Sequence, residues 1–315
     1  MNKKIVLIMG YPASGKTVLA RKYEERGYRR INRDELGGSL DGLVQHLERE
    51  YAENGTSQFV LDNTYPTVES RQSIIKWARN NDFEIRCKYI DIDVGDALYN
   101  ASKRLIDTYG RLLTPEEIKK SKEVGVYPPV VIYKYRKTVI PPKTQEGFHV
   151  VEKVKFSRVV DKTKYTKKAI ILDYDGTIRK TKSGARYPSA PEDIEILPHR
   201  TEVLKKYQEN GYILLGVSNQ SFVAKGDMTL DELLECFAYT HELLGINFEY
   251  LYCPHPAFPQ ICYCRKPMPG MGVEFIEKHK LDPSQCTMVG DMKVDNTFAN
   301  RCGFQFVHAE DFFKV

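Results

Sequence analysis

The chain has no run of about 18 consecutive apolar residues, so its sequence offers no hydrophobic membrane-spanning helix. It also lacks the outline of a secretory leader. The apolar stretch after Met1-Asn2-Lys3-Lys4 stops at Gly10 and carries no small-residue cleavage site. A large charge imbalance is missing too: the net charge of +5 allows an anionic partner without requiring one. The seven cysteines are odd in number, and three of them fall within residues 253–264. That count and clustering argue against a disulfide framework and for a metal site in a reducing, cytoplasmic setting. What is present, 42% hydrophobic and 28% charged residues over 315 positions, is enough for two globular domains of ordinary size.

The stretch that organises the chain lies just past its middle. Ala169–Leu172 is a short apolar run of buried-strand length, followed by Asp173-Tyr174-Asp175-Gly176-Thr177. Residues i and i+2 of a strand point to one face, so Asp173 and Asp175 can share a pocket. Gly176 permits a sharp turn, and Thr177 adds a hydroxyl. This resembles motif I of the haloacid dehalogenase superfamily of phosphatases. Three further segments resemble its other motifs: Ser218-Asn219 at the end of a strand over residues 212–217, Lys266 in Cys264-Arg265-Lys266-Pro267, and Gly290-Asp291 with Asp295 after Thr287–Gly290.

The resemblance implies Asp173 as nucleophile and Asp175 as the acid and base. It implies Lys266 as the counter-charge, and Thr177, Ser218, Asn219 and Arg265 around the phosphoryl group. Mg²⁺ would be held by Asp173, Asp175 (through its backbone carbonyl), Asp291 and Asp295. Residues 193–211 read as a helix, as do residues 229–244. Neither the 40 residues between Thr177 and Ser218 nor the 46 between Asn219 and Lys266 suffice for a full cap domain.

The first half opens with an apolar strand, Lys4–Met9, and then Gly10-Tyr11-Pro12-Ala13-Ser14-Gly15-Lys16-Thr17 before an amphipathic run. This is a complete P-loop, G-x-x-x-x-G-K-T. Its backbone N–H groups curl around phosphate oxygens, here at Gly10, Ala13, Ser14 and Gly15. Lys16 reaches the β/γ-phosphates of ATP and Thr17 ligates Mg²⁺. A strand over residues 27–34 ends in Arg33-Asp34. On its own, Asp34 is as readily a salt-bridged surface residue as a general base. Strands at residues 58–61 and 84–92, a helix over 67–80 and an edge strand over 150–156 complete a βαβ alternation, which predicts a parallel sheet.

Three signatures together resemble the kinase module of polynucleotide kinase-phosphatases: the P-loop, Asn32-Arg33-Asp34, and Asp62-Asn63-Thr64 with Arg71. The resemblance extends to Tyr133 through Phe148. It implies an ATP-dependent 5′-hydroxyl kinase with Asp34 as base, and Asp62, Asn63, Thr64 and Arg71 around the acceptor phosphate. Arg104, on a helix over residues 96–113, matches a lid arginine that offsets transition-state charge. Asn100 stands where the phage form has a second basic residue. Gly37-Gly38 stands where it has an acceptor-side arginine. Residues 111–126 read as a helix or a flexible lid.

Residues 152–168 carry seven Lys/Arg against two acids and read as a linker that could also track a polyanion. One feature departs from the polynucleotide family. Cys253, His255, Cys262 and Cys264 form a Cys₃His set, the ligand type of structural Zn²⁺. This resembles the zinc loop of heptose-bisphosphate and histidinol-phosphate phosphatases, and it would brace Lys266.

The expected fold is α/β in two domains. A P-loop NTPase-type parallel sheet (1–158) precedes a haloacid dehalogenase-type Rossmannoid sheet (159–315) with no large cap. The expected function is healing of nucleic-acid ends, DNA or RNA, with ATP, Mg²⁺ and structural Zn²⁺ as cofactors. A ligase, not visible in this sequence, would be the downstream partner. A bifunctional kinase and phosphatase acting on a sugar or polyol is the alternative, and a binding scaffold with one dead site is a third reading.

Overall fold

A computed structural model of the chain describes residues 3–259 and 261–314. In chain order the first part contains β1 (Lys4–Met9), α1 (Lys16–Glu24), β2 (Arg29–Ile31), α2 (Arg33–Leu36), α3 (Leu43–Asn54), β3 (Gln58–Asp62), α4 (Glu69–Asn80), β4 (Glu84–Asp91), α5 (Val94–Tyr109), α6 (Pro115–Lys120), α7 (Val130–Thr138) and β5 (Val150–Lys155). There follow β6 (Ala169–Leu172), β7 (Arg179–Thr181), β8 (Ile194–Ile196), α8 (Arg200–Glu209), β9 (Ile213–Asn219), α9 (Phe222–Lys225), α10 (Leu230–Leu244), β10 (Glu249–Cys253), α11 (Gly270–His279), β11 (Thr287–Gly290), α12 (Lys293–Cys302), β12 (Gln305–His308) and α13 (Ala309–Phe312).

Two compact units result. The first takes the chain up to Asn100 with Lys122–Val126 and Val130–Arg158. The second takes Ala101–Ser121, Tyr127–Pro129 and everything from Val159. The last change from the first unit to the second falls between Arg158 and Val159. Residues 101–121 and 127–129 group with the second unit, where Lys103 pairs with Glu277 at 3.0 Å and the Tyr263 hydroxyl donates to the Tyr127 carbonyl at 2.9 Å.

In the first unit five parallel strands lie in the order β2-β3-β1-β4-β5. β1 is apolar nearly throughout and buried, as a strand covered on both faces must be. The core beside it joins Leu47, Phe59, Ile74, Trp77 and Phe83. The second unit is a parallel sheet in the order β10-β9-β6-β11-β12, with fully buried β6 at its centre. In both sheets the functional side chains sit at or just past the C-terminal ends of strands, where parallel α/β sheets place their ligands.

Three local expectations change. Residues 27–34 are not one strand: β2 stops at Ile31 and Asp34 lies on α2, whose N-cap is Asn32. Residues 193–211 are not one helix. Ile194–Ile196 pairs antiparallel with β7, and α8 starts only at Arg200, because Pro198 disfavours helical geometry in the residue before it. Residues 111–126 contain one short helix, α6, with a capping box between Thr114 and Glu117. Between β9 and β10 the main insertion is α10, so no separate cap domain interrupts this sheet.

Candidate active sites

The P-loop of the first unit takes the backbone shape that phosphate binding needs. Gly15 has φ +89° and Ala13 φ +61°, while a side chain at Gly10 would collide with Ser14 Oγ and Ile90. The Ser14 hydroxyl is buried with no hydrogen-bond partner among the described residues. Lys16 Nζ donates to the loop's own carbonyls, Gly10 O at 3.1 Å and Tyr11 O at 2.6 Å. Asn100 Nδ2 donates to Ala13 O at 2.9 Å, so α5 supports the loop.

Asp62 is buried and held by partners within the fold. The β1–β3 register sets it opposite Ile8, next to the strand that feeds the P-loop. Its Oδ2 accepts from the Thr17 hydroxyl at 3.1 Å, and Arg30 binds both its oxygens at 2.8 and 2.9 Å. Asn32 Nδ2 donates to its carbonyl and carboxylate. Asn63 Oδ1 accepts from the Arg33 backbone N–H at 3.0 Å, and Asn32 Oδ1 from that of Asp34 at 2.8 Å. This amide network fixes α2 and leaves Asp34 exposed, its carboxylate paired among the described residues with its neighbour Arg33. Thr64 lends its carbonyl to the Tyr135 hydroxyl.

Arg71, expected around the acceptor phosphate, makes its contacts inside the fold. Its side chain is fully buried. Nε and Nη2 clasp Glu146 at 2.6 and 2.7 Å, and Nη1 donates to Tyr65 O and Ile140 O. Arg104 is exposed on the part of α5 that groups with the second unit, where its charge acts on the Tyr263 phenol.

In the second unit the motif residues converge. Lys266 Nζ lies 2.5 Å from Asp173 Oδ1, 2.7 Å from Asp295 Oδ1 and 3.1 Å from Val217 O. Burial pushes the Asp173 carboxyl up to about 7 against the pull of Lys266. Asp291 is also raised, by burial and by Asp295. Asn219 and the Lys266 peptide exchange two hydrogen bonds of 2.9 Å, which fixes the lysine's backbone. Ser218 is buried and its hydroxyl accepts from Gln220 Nε2. The buried Thr177 hydroxyl has no hydrogen-bond partner among the described residues. Arg265 Nη1 donates to His255 O at 3.3 Å, tying the motif to the Cys/His loop.

Family models match both halves. Residues 168–313 match the model described as polynucleotide kinase 3 phosphatase, and residues 5–105 match one described as an AAA domain. A relative described as a probable D-glycero-D-manno-heptose-1,7-bisphosphate 7-phosphatase of Thermoplasma volcanium is 33% identical over 144 residues. The match covers 44% of this chain and 96% of the relative. The phosphatase half, residues 168–313, belongs to the polynucleotide kinase 3 phosphatase family.

This kinase–phosphatase is also 33% identical to a D-glycero-beta-D-manno-heptose-1,7-bisphosphate 7-phosphatase of Pasteurella multocida, over 43% of this chain and 76% of that one. Across 97% of its length it aligns with 95% of a chain from the Pnkp1/Rnl/Hen1 RNA repair complex, at 16% identity and TM-score 0.33. It is an enzyme with a kinase half and a phosphatase half.

Two clusters of the kinase–phosphatase suit metal ions. Asp173, Asp291 and Asp295 each offer an oxygen, all within 4.8 Å of one another, and Asp291 Oδ1 is buried with no hydrogen-bond partner among the described residues. A side chain at Gly176 would strike Asp291 Oδ2, so only glycine keeps that carboxylate in place. Cys253, His255, Cys262 and Cys264 likewise present four ligand atoms within 4.8 Å. The 3.7 Å between Cys253 and Cys262 Sγ is far too long for a disulfide, and burial raises the Cys253 thiol to about 12. Buried thiols packed this closely suit a cation that holds them deprotonated.

One functional side chain escapes sequence reasoning. Arg179 is completely buried, and its Nε donates to Asp175 Oδ1 at 2.8 Å. The available signal was a basic residue four positions after Asp175 in an otherwise tight, apolar turn.

Proposed function

We propose that the enzyme heals nucleic-acid ends, phosphorylating 5′-hydroxyls with ATP and removing 3′-phosphates. The observation that carries the reading is the union in one chain of a complete P-loop and a phosphatase half that matches the polynucleotide kinase 3 phosphatase model. In the kinase half, Asp34 on its amide-fixed helix takes the proton of the attacking 5′-hydroxyl. Lys16 offsets the charge of the ATP phosphates, and Arg104, one turn after Asn100 on the same face of α5, is the candidate lid arginine. Asp62 and Thr17 would hold Mg²⁺, which neutralises phosphate charge when bound.

In the phosphatase half, Asp173 attacks phosphorus and the P–O ester bond breaks. The leaving oxygen takes its proton from Asp175. Asp175 then takes a proton from water, whose oxygen attacks the aspartyl-phosphate, releasing phosphate and restoring Asp173. Lys266 offsets the charge shared by nucleophile and phosphoryl group, and the Thr177 hydroxyl is the buried donor left for its oxygens. Asp173, Asp291, Asp295 and the Asp175 carbonyl would hold Mg²⁺, which screens the charge between two anions. Cys253, His255, Cys262 and Cys264 would hold Zn²⁺ as a closed brace behind Lys266. A ligase acting on the healed ends is the expected partner, inside a reducing compartment.

The heptose-bisphosphate phosphatase relatives favour a second reading, a kinase and phosphatase for small sugar or polyol substrates. Two assays separate them: ATP with a 5′-hydroxyl oligonucleotide, and a 3′-phosphate oligonucleotide alone. Turnover of both supports end healing. Turnover of neither, with a sugar bisphosphate hydrolysed readily, would move the assignment to the second reading.

A further inference from the structure

We propose that Arg179 is a positioning residue of the phosphatase. It locks the Asp175 carboxylate in the orientation needed for proton transfer and anchors it to α10. The proposal rests on the reading of Asp175 as acid and base.

The local backbone makes the contact. Gly176, at φ +85°, turns the chain so tightly that its N–H donates to Arg179 O at 2.9 Å, while Arg179 N–H donates back to Tyr174 O at 3.0 Å. Residues 175 and 179 thereby meet across a β-bridge, and the Arg179 side chain runs inward from it. Its Nε binds Asp175 Oδ1 at 2.8 Å. The other oxygen, Oδ2, accepts from Gln220 Nε2 at 3.2 Å. Gln220 Nε2 also donates to the Ser218 hydroxyl, so both carboxylate oxygens are gripped by side chains that are themselves buried. Asp175 stays partly open, with about a quarter of its side chain exposed against 1% for Arg179.

The far end of Arg179 is set into α10. Nη1 donates to Cys236 O at 3.0 Å and to the Thr240 hydroxyl at 2.8 Å. The guanidinium carbon lies 5.5 Å from the Tyr174 ring and 5.3 Å from that of Phe237. A guanidinium inside an aromatic and helical wall is retained only when paired, and among the described residues Asp175 is the carboxylate that pairs with it. A fork held at both ends restricts rotation of the carboxylate it binds. A proton donor must be placed within tenths of an ångström to act on a leaving oxygen. The placement of α10 therefore reaches the reacting centre through one side chain.

The test compares leaving groups. An alkyl ester such as a 3′-phosphate oligonucleotide needs a proton on its departing oxygen, whereas a nitrophenolate leaves without one. Arg179→Met should lower kcat/KM for the oligonucleotide about 100-fold, the lower range of a general acid's contribution. It should leave kcat/KM for p-nitrophenyl phosphate within a few-fold. Its kcat on the aryl ester should fall, with aspartyl-phosphate accumulating, because the second step still needs Asp175 as base. Arg179→Lys should recover part of the loss. In an Asp175→Asn background, Arg179→Met should add little.

Equal loss of kcat/KM on both esters, or full additivity with Asp175→Asn, would overturn the proposal and leave Arg179 a core residue. If Asp175→Asn itself shows no leaving-group dependence, the acid–base reading fails and takes this one with it. Should Arg179→Met not fold, Thr240→Val removes one anchor of Nη1 and should give the same pattern in smaller measure. Uniform behaviour of that variant on both esters would count against the proposal.

Discussion

Arg71 and Glu146 lie 75 residues apart and form a buried, two-pronged ion pair with two further carbonyls capping the arginine. Removing one partner strands the other charge in the interior. Arg71→Ala should therefore destabilise the kinase half by about 3–5 kcal/mol, and Glu146→Ala by a similar amount. Urea unfolding followed by Trp77 fluorescence checks this, since Trp77 sits on the same helix and in that core. A variant as stable as the parent, with only its acceptor KM raised, would count against the structural role and for a direct role at the acceptor. The contrast with Lys16, Thr17, Asp173 and Lys266 is instructive. Their directions are legible because a motif at a strand end leaves one way to point. Arg71 lies mid-helix, and no spacing in its own segment reveals a partner so far along the chain. Asp62 stood out in the sequence at a strand end, but its tilt toward Thr17 depends on the β1–β3 register, which a single strand does not display.

At the scale of elements, long buried strands and capped helices were easy to read: β1, β3, β6 and β11 match the apolar runs, and α10 starts at its Thr229 capping box. The β7–β8 hairpin was not, because three-residue strands carry too little alternation to stand out from a loop. The clustering of Cys253, His255, Cys262 and Cys264 was legible, but the attachment of their loop was not. Cys253 ends β10, its carbonyl accepts from Gln220 N–H at 2.8 Å, and Cys264 stands two residues before Lys266. Loosening the loop should thus disturb both Lys266 and the Gln220 grip on Asp175. Cys262→Ser should lower phosphatase kcat and the unfolding temperature of that half while sparing kinase turnover. Metal analysis should find about one zinc per chain in the parent, as a closed four-ligand site requires. A fully active parent free of zinc would remove the basis for the brace.

For the whole molecule, each half has its own sheet and its own core. Asp173→Ala should end 3′-phosphatase turnover and keep kinase turnover near the parent value, and Lys16→Ala should do the converse. Loss of both activities from either change in folded protein would contradict independent sites. The remaining question is whether the acceptor is a polymer, and here the basic stretch at 152–168 contributes less than its composition suggests. Lys153 is paired with Asp91, Arg158 with Asp96 and Lys162 with Asp282, so part of its charge is neutralised within the fold. A single-stranded acceptor should therefore engage few phosphates, each adding roughly 0.7 to the slope of log affinity against log salt. Kinase KM measured on 5′-hydroxyl oligonucleotides of increasing length should fall over the first few nucleotides, level off, and rise with salt. Because its charge is already spent on Asp282, Lys162→Ala should leave that salt slope unchanged. A KM indifferent to both length and salt, with a free polyol outcompeting every oligonucleotide, would assign the kinase half to small molecules.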